Sequence, residues 1–277
     1  GYMNRNKLIS LGEATAMQGR FYASGDGINR FINQAKVGYP IGYFYGFKVD
    51  GIYQNWEEVA AGPEPTVRRP GDFKYVNTYD NPAAGDVNQI TDADQVMIGS
   101  PYPKFSIGLT NDFTIYKNLN ISFLIDARWG QQVANLNRIY LDGLMVRPGT
   151  APALTLTNVS KRAYQNRWRG EGTSNYYPAA KVSSKLMDGR LSNFLIDDAS
   201  YIKLRTITIS YTLNNVIKGF VKSIRFFVSA NNLLTISKYK GYDPEVNTFG
   251  TSAIDQGIDF GTVPNLRTVS FGTTINF

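Results

Sequence analysis

The sequence predicts an all-β fold, and within that class a transmembrane antiparallel β-barrel. Tyr and Phe are abundant, with 18 and 16 of the 277 residues, and glycine recurs along the chain, which is a composition of strands and turns. Apolar and polar residues alternate over segments of about 10 to 14 residues, a length that suits a tilted membrane strand. Short and long connections also alternate between these segments, which is typical of outer-membrane barrels.

Two missing residue types exclude several kinds of active site. The chain has no histidine and no cysteine, so a Ser/His/Asp triad, a histidine base, imidazole or thiolate metal ligands and disulfide bonds are excluded. The neighbouring carboxylates Asp197 and Asp198 could perform acid/base chemistry in principle. Asp198, however, falls in a segment that leads into a strand. We therefore expect no enzymatic activity and no cofactor.

The net charge of +7 is spread along the chain. A basic balance can indicate an anionic partner, but the densest basic group lies in a predicted loop, and we expect no binding of nucleic acid. That group consists of Lys161, Arg162, Arg167 and Arg169. No apolar run approaches the ~18 to 20 residues that a membrane helix needs. A membrane-spanning form of the chain must therefore be a closed barrel.

The alternation is clear from Leu119 to Trp129, where the odd-numbered residues are apolar and the even-numbered set includes Asp126 and Arg128. Between residues 200 and 213 the apolar residues change phase, and a β-bulge near Arg205 would reconcile the two halves. About eight strands are predicted, and they cover residues 2–11, 27–35, 39–53, 104–116, 119–129, 200–213, 221–234 and 268–277.

The predicted connections fall into two classes. Short turns are expected at residues 36–38, 117–118 and 214–219, and long irregular connections at residues 55–103, 130–199 and 235–263. A soluble β-sandwich also alternates apolar and polar positions along its strands. One observation distinguishes the two folds: a sandwich shields Phe123, Val228 and Ile275 beneath a second sheet, whereas a membrane barrel turns them towards lipid.

Five segments carry recognisable motifs, in a fixed order and over nearly the whole chain. They are GYPIGYFYGFKVDGIYQ (38–54), PGDFKYV (70–76) followed by IGSPYPKFSIGL (98–109), DASYIKLRTITISYTL (198–213), FFVSANNLLTISKYKGYDPEV (226–246) and the closing RTVSFGTTINF (267–277). Together they resemble the SusC/RagA family of TonB-linked outer-membrane proteins, which are TonB-dependent transporters.

The resemblance implies that residues 1–277 are the C-terminal part of a β-barrel of ~22 strands, about its last eight. The plug and the TonB box would precede Gly1. The implied partners are the remainder of the barrel and plug, a SusD-like lipoprotein, TonB through the missing N-terminal region, and outer-membrane lipid with lipopolysaccharide. The implied function is import of glycans or peptides across the outer membrane. A scaffold role in an outer-membrane complex and a self-contained eight-stranded outer-membrane protein are the alternatives.

Several residues receive roles from this interpretation. Polar strand faces line the lumen of a barrel, so Asp126, Arg128, Arg225 and Asn231 are predicted to face inward. By resemblance, the C-terminal strand is a signal for the barrel-assembly machinery, and its apolar residues are Phe271, Ile275 and Phe277.

Aromatic residues of the long connections are candidates for contact with substrate or with a partner, because flat apolar rings stack on sugars and also pack against peptides. They are Trp56, Tyr102, Tyr164, Trp168, Tyr176, Tyr177, Tyr239 and Tyr242.

Residues 77–94 occupy the place of an acidic, calcium-loop-like run that is common in the family. Here Pro82, Ala83 and Ala84 interrupt the spacing that aims oxygen ligands at one ion. A polar turn is therefore favoured over a metal site, and the weak candidate ligands are Asp80, Asp86 and Asp94.

We predict that Phe277→Ala, or deletion of the last strand, lowers the amount of protein in the outer membrane, because the terminal aromatic residue would no longer be presented for assembly. Surface abundance measured by antibody labelling of intact cells checks this, and unchanged abundance would contradict the assembly role.

Overall fold

The structure is a computed structural model that describes residues 1–23, 29–84, 87–142, 145–148, 154–156, 158–182, 190–250 and 252–277. These residues form 22 strands and three short α-helices, so the all-β prediction is confirmed. Of the helices described, none has the length and apolar content required to cross a bilayer.

The strands are β1 (Tyr2–Met3), β2 (Ala16–Gln18), β3 (Phe21–Ala23), β4 (Asn29–Phe31), β5 (Asn33–Lys36), β6 (Tyr43–Gly46), β7 (Val49–Ile52), β8 (Phe73–Tyr75), β9 (Val96–Gly99), β10 (Phe105–Ile115), β11 (Leu119–Trp129), β12 (Gln132–Asn135), β13 (Met145–Pro148), β14 (Leu154–Leu156), β15 (Arg167–Trp168), β16 (Tyr177–Ala179), β17 (Lys181–Val182), β18 (Ile196–Asp198), β19 (Tyr201–Ile217), β20 (Val221–Ser237), β21 (Ile258–Asp259) and β22 (Thr268–Asn276). The helices are α1 (Trp56–Ala61), α2 (Asn137–Leu141) and α3 (Lys161–Asn166). Single 3₁₀ turns cover Pro82–Ala84, Asp92–Asp94 and Asn193–Leu195.

Six strands form one antiparallel sheet in the order β1-β10-β11-β19-β20-β22, which we call the wall sheet. Two short turns, at residues 116–118 and 218–220, join its strands at one end. Tyr116 and Lys117 have φ angles of 49° and 64°, which a tight hairpin turn requires. The long connections, residues 4–104, 130–200 and 238–267, all leave from the other end, and their described residues form a body that we call the cap. The predicted alternation of short and long connections is confirmed for this sheet.

The wall sheet has one apolar and one polar face. Strand register places apolar residues side by side: Ile121 pairs with Ile209, Ile209 with Val228, and Val228 with Phe271. Val228 is 41% exposed and Ile275 48% exposed, and Phe123 is half-buried. A β-sandwich would bury all three residues, so the exposed apolar face favours the membrane fold over the soluble one.

The predicted β-bulge is confirmed at Arg205. Leu124 pairs with Thr206 and Ile125 with Leu204, so Arg205 has no partner in the register. Because of the extra residue, Ile202 and Leu204, before the bulge, point to the same apolar face as Ile207 and Ile209, after it.

Three of the predicted strands are wrong in extent. Residues 39–53 contain β6 and β7, which belong to different sheets of the cap, and only β1 lies within residues 2–11. The predicted strand 27–35 contains β4 and most of β5, and its residues 27 and 28 lie outside the described part of the chain. The wall sheet described here therefore has six strands rather than eight. The alternation at 39–53 was misleading because the neighbours Tyr43 and Phe44 are both buried, so both faces of β6 are covered.

The described parts of the long connections are folded, not irregular. Their largest core contains Phe44, Phe47, Phe73, Phe194 and Ile258 among 17 buried residues. The rings of Phe73 and Phe194, which are far apart in sequence, have centroids 5.0 Å apart. Aromatic residues of the 38–54 and 70–76 motifs thus belong to the core of the cap.

One glycine of the wall sheet makes room for an aromatic ring. Gly272 pairs with Phe227 on the polar face, and a Cβ atom at position 272 would overlap the Phe227 ring. We predict that Gly272→Val destabilises the sheet by about 1–3 kcal/mol, because the ring has to move. The fraction of folded protein, measured by heat-modifiable migration in electrophoresis, checks this. Gly108→Val is the matched control, since nothing lies within 4 Å of a Cβ atom there; equal losses in both variants would contradict the prediction.

Candidate functional site

Next to the cap, the polar face of the wall sheet carries a group of charged residues. Asp126 and Arg128 of β11 pair with Lys203 and Tyr201 of β19, so their side chains share this face. The bulge keeps Arg205 there as well: its Nη2 donates to Asp126 Oδ2 over 2.7 Å. The predicted inward-facing residues Asp126 and Arg128 therefore lie together at the cap end of the sheet.

A segment of the cap, Tyr242 to Val246, folds back onto these residues. Glu245 accepts hydrogen bonds from Tyr201 Oη at 2.6 Å, Lys203 Nζ at 2.6 Å and Arg205 Nη1 at 2.7 Å. We call Asp126, Arg128, Tyr201, Lys203, Arg205, Asp243 and Glu245 the charged cluster. The cluster joins the 226–246 motif, which supplies Asp243 and Glu245, to the 198–213 motif, which supplies Tyr201, Lys203 and Arg205.

Asp243 holds the same segment in place from its other side. Its Oδ1 accepts from Lys203 Nζ at 3.2 Å and from the backbone N–H of Glu245 at 3.0 Å, and its Oδ2 accepts from the backbone N–H of Asn265 at 3.1 Å. One carboxylate thus links the wall sheet, the 242–246 segment and the connection that leads into β22.

Charge balance explains how the cluster tolerates burial. The side chain of Lys203 is fully buried, and an unpaired charge there would be very costly. The cluster contains three cations and three carboxylates, so it is neutral as a whole. Such a site specifies geometry more than it adds stability, because the ion pairs offset a large desolvation penalty.

The environment of Glu245 lowers its pKa, so the carboxylate loses its charge only in strong acid. Burial by itself would raise its pKa, but hydrogen bonds from Arg205, Lys203 and Tyr201 lower the pKa to about 2, from an ordinary value of 4.5. The folded state therefore prefers the carboxylate. Its contribution to stability is fully present above about pH 4.5 and is lost as the pH falls towards 2.

Two further buried ion-pair groups hold the cap itself. Arg138 Nε donates to Asp142 Oδ2 at 2.8 Å and Arg138 Nη1 to Asp197 Oδ1 at 3.1 Å. Glu64 binds Arg68 and Arg190 in the same way. Burial would raise the pKa of Asp142 and of Glu64, but the arginines lower both.

Sequence reasoning missed these two groups. The spacing of four residues between Arg138 and Asp142, and between Glu64 and Arg68, was the available signal. Asp197 also accepts from Asn135 Nδ2 at 2.9 Å, and Asp198 accepts from the backbone N–H of Ser200 at 2.9 Å. The neighbours Asp197 and Asp198 thus have separate structural partners.

The other predicted inward-facing residues lie elsewhere on the polar face. Arg225 pairs in register with Thr212 and Thr274, away from the cap, and it is exposed. Asn231 lies between Thr206 and Thr268 and hydrogen-bonds to both hydroxyl groups. They share a face with the charged cluster but are not part of it.

The three residues assigned to assembly lie at or near the last strand. Phe271 pairs with Val228 and Ile275 with Ile224 on the apolar face. Phe277 follows the end of β22, and its ring packs edge-on against Phe220 of the adjacent turn, with centroids 5.5 Å apart.

The aromatic candidates divide into buried and exposed sets. Tyr177, Tyr239 and Trp168 pack inside or against the cap. Tyr102 donates from its hydroxyl to Ala253 O at 2.6 Å. The exposed rings are Trp56, Tyr164, Tyr176 and Tyr242. Only this second set offers a ring face to a ligand or partner.

The weak metal candidates that the structure describes, Asp80 and Asp94, accept hydrogen bonds from different partners. Asp94 is buried and accepts backbone N–H bonds from Thr78 at 2.7 Å, Tyr79 at 3.0 Å and Thr91 at 2.8 Å. Asp80 accepts from Asn88 N at 3.1 Å, and Asp86 lies outside the described residues. In the described part of the chain, no group of three or more Asp or Glu residues is placed to hold a metal ion.

Comparison with known proteins agrees with the motif resemblance. The chain is 28% identical to TonB-dependent receptor P3 of Formosa agariphila over 99% of its own length and 26% of that protein. It is 27% identical to the TonB-dependent receptor SusC of Bacteroides thetaiotaomicron over 93% of the chain and 22% of that protein. No family model matches the chain.

Among solved structures, the RagAB peptide importer in its closed-closed state covers 99% of the chain with a TM-score of 0.65 and 20% identity, and the chain covers 26% of that structure's chain. At this identity the likeness concerns the fold. The chain spans about a quarter of the length of the relatives it matches. Similarity to TonB-dependent receptors, SusC among them, is thereby confirmed, and the relatives named are receptors rather than enzymes.

We predict that Lys203→Met releases the 242–246 segment from the wall sheet, because Asp243 and Glu245 would lose the cation between them. Removing one member of a buried pair costs about 3–5 kcal/mol. Limited proteolysis of the folded protein should then show faster cleavage within residues 238–267. Lys222→Met, an exposed lysine on β20, is the control; equal cleavage rates in the two variants would count against the role of the cluster.

Proposed function

We propose that this chain forms the C-terminal part of the wall of a TonB-dependent outer-membrane transporter, which imports glycans or peptides together with a SusD-like lipoprotein. The observation that carries the proposal is the wall sheet, with an exposed apolar face opposite a face that bears a neutral charged cluster. An exposed apolar face that crosses several strands is costly in water but favourable against acyl chains. Charged residues on the opposite face suit a wet lumen.

The edges of the sheet support the idea of a larger barrel. β1 and β22 lie at opposite ends of the strand order, and within the described residues they do not pair with each other. Unpaired strand edges cannot face hydrocarbon, because their N–H and C=O groups would lack partners. In the proposed protein, further strands of the barrel pair with both edges and a plug fills the lumen.

The partners follow from the relatives. SusC is named as a TonB-dependent receptor, and RagAB is described as a peptide importer. We extend this to the present chain: TonB would act through a region outside these residues, and a SusD-like lipoprotein would cover the cap. The exposed rings of Trp56, Tyr164, Tyr176 and Tyr242 are the proposed contacts for that lipoprotein or for substrate.

We predict that two adjacent positions of β20 face different solvents. The chain has no cysteine of its own, so Val228→Cys and Ser229→Cys can each carry a single nitroxide label in an otherwise cysteine-free protein. In liposomes, the label at 228 should collide more often with dissolved oxygen, and the label at 229 with a water-soluble nickel complex, because adjacent strand residues point to opposite faces. Similar accessibility at both positions would contradict the membrane orientation.

An uptake assay distinguishes a transporter from a protein that serves only as a scaffold. A transporter should take up labelled oligosaccharide or peptide in cells with TonB and fail to do so in cells without it. A scaffold would keep the labelling pattern at residues 228 and 229, with no uptake that depends on TonB.

A further inference from the structure

A cleft of about 580 Å³ lies in the cap between α2, α3 and the turn at residues 240–242. Its lining combines aromatic rings (Tyr140 and Tyr242), cations (Arg162 and Lys240) and a buried amide (Asn135). None of these lining residues belongs to the charged cluster, so the cleft is a separate feature of the cap.

Tyr242 presents its ring from a rigid support. The ring is 83% exposed, yet the residues on both sides of it are fixed. Gly241 lies directly against the ring of Tyr239, whose hydroxyl donates to Asp259 Oδ2 at 2.5 Å. Asp243 is held by Lys203. The backbone at Tyr242 is therefore held in place, and an aromatic side chain has only two rotatable bonds to order when a ligand stacks on it.

The rim of the cleft is positively charged. Ion pairs connect Arg138, Arg162 and Lys240 to Asp142 and Asp197, and the carboxylate of Asp259 accepts from the hydroxyl of Tyr239. These three carboxylates are buried, whereas Arg162 and Lys240 are each about one-third exposed and can reach a ligand. An anionic group in the cleft would pair with these two cations.

The buried amide needs a hydrogen-bond donor. Asn135 is almost fully buried, and its Nδ2 donates to Asp197. Its Oδ1 has no hydrogen-bond partner among the described residues. A buried acceptor without a donor is costly, and a hydroxyl group at the floor of the cleft would satisfy it.

We propose that this cleft binds one unit of an acidic saccharide. The flat C–H face of the sugar stacks on Tyr242, the anion lies against Arg162 and Lys240, and a hydroxyl donates to Asn135 Oδ1. The anion is a carboxylate or a sulfate, which share this recognition chemistry. The inference rests on the proposed import function and narrows its substrate class from glycans or peptides to acidic glycans.

The test is calorimetric titration of the complete protein, purified in detergent. The probes are trigalacturonate, a carrageenan-derived sulfated tetrasaccharide, neutral cellotetraose and a tetraglutamate peptide. We expect at least one acidic saccharide to bind, and cellotetraose and tetraglutamate to bind at least about tenfold more weakly. The relative affinity of the carboxylate and sulfate probes identifies the anion.

Variants connect binding to the cleft. Tyr242→Ala and Lys240→Gln should each weaken binding of the acidic saccharide by about tenfold or more. Tyr79→Ala, an exposed tyrosine of the cap outside the cleft, should leave it within about twofold. The proposal is overturned if no acidic saccharide binds, if tetraglutamate or cellotetraose binds equally well, or if Tyr242→Ala has no effect. Because the titration involves neither TonB nor energised cells, a failure of uptake affects the proposed function and not this result.

Discussion

Every second side chain of a β-strand points to the same face, and the rest of this structure depends on that constraint in the wall sheet. Register keeps Ile121, Ile209, Val228 and Phe271 in one row across four strands. The bulge at Arg205 preserves the row where the sequence would otherwise change phase. The opposite face is then free to carry charge, and the cap end of that face is where charge is concentrated.

Ion pairs and hydrogen bonds attach the cap to the polar face of the sheet. Its own core contains aromatic residues from the 38–54 and 70–76 motifs, and the ion-paired arginines at positions 68, 138 and 190 fix the geometry around it. The 242–246 segment then binds Tyr201, Lys203 and Arg205. The five motifs thus contribute to the core of the cap, to this attachment and to the wall strands β10, β19, β20 and β22.

The charged cluster also positions the proposed ligand contacts. Asp243 and Glu245 fix the 242–246 segment, and Tyr242 at its start is exposed at the rim of the cleft. A single charged cluster therefore has two consequences: it closes the cap onto the polar face of the wall, and it orients an exposed ring towards the cleft that contains Arg162 and Lys240.

The sequence by itself determined the fold class, the four longest strands, the bulge at Arg205 and the resemblance to TonB-dependent receptors. Those features depend on local periodicity and on contiguous motifs, which a single chain displays directly. Only the tertiary structure decided that Tyr43 and Phe44 are both buried, that Glu245 reaches Lys203, and that Tyr177 and Tyr239 are core residues while Tyr242 is exposed. These outcomes depend on contacts between residues far apart in the chain, and alternation along one segment carries no information about what covers each of its faces.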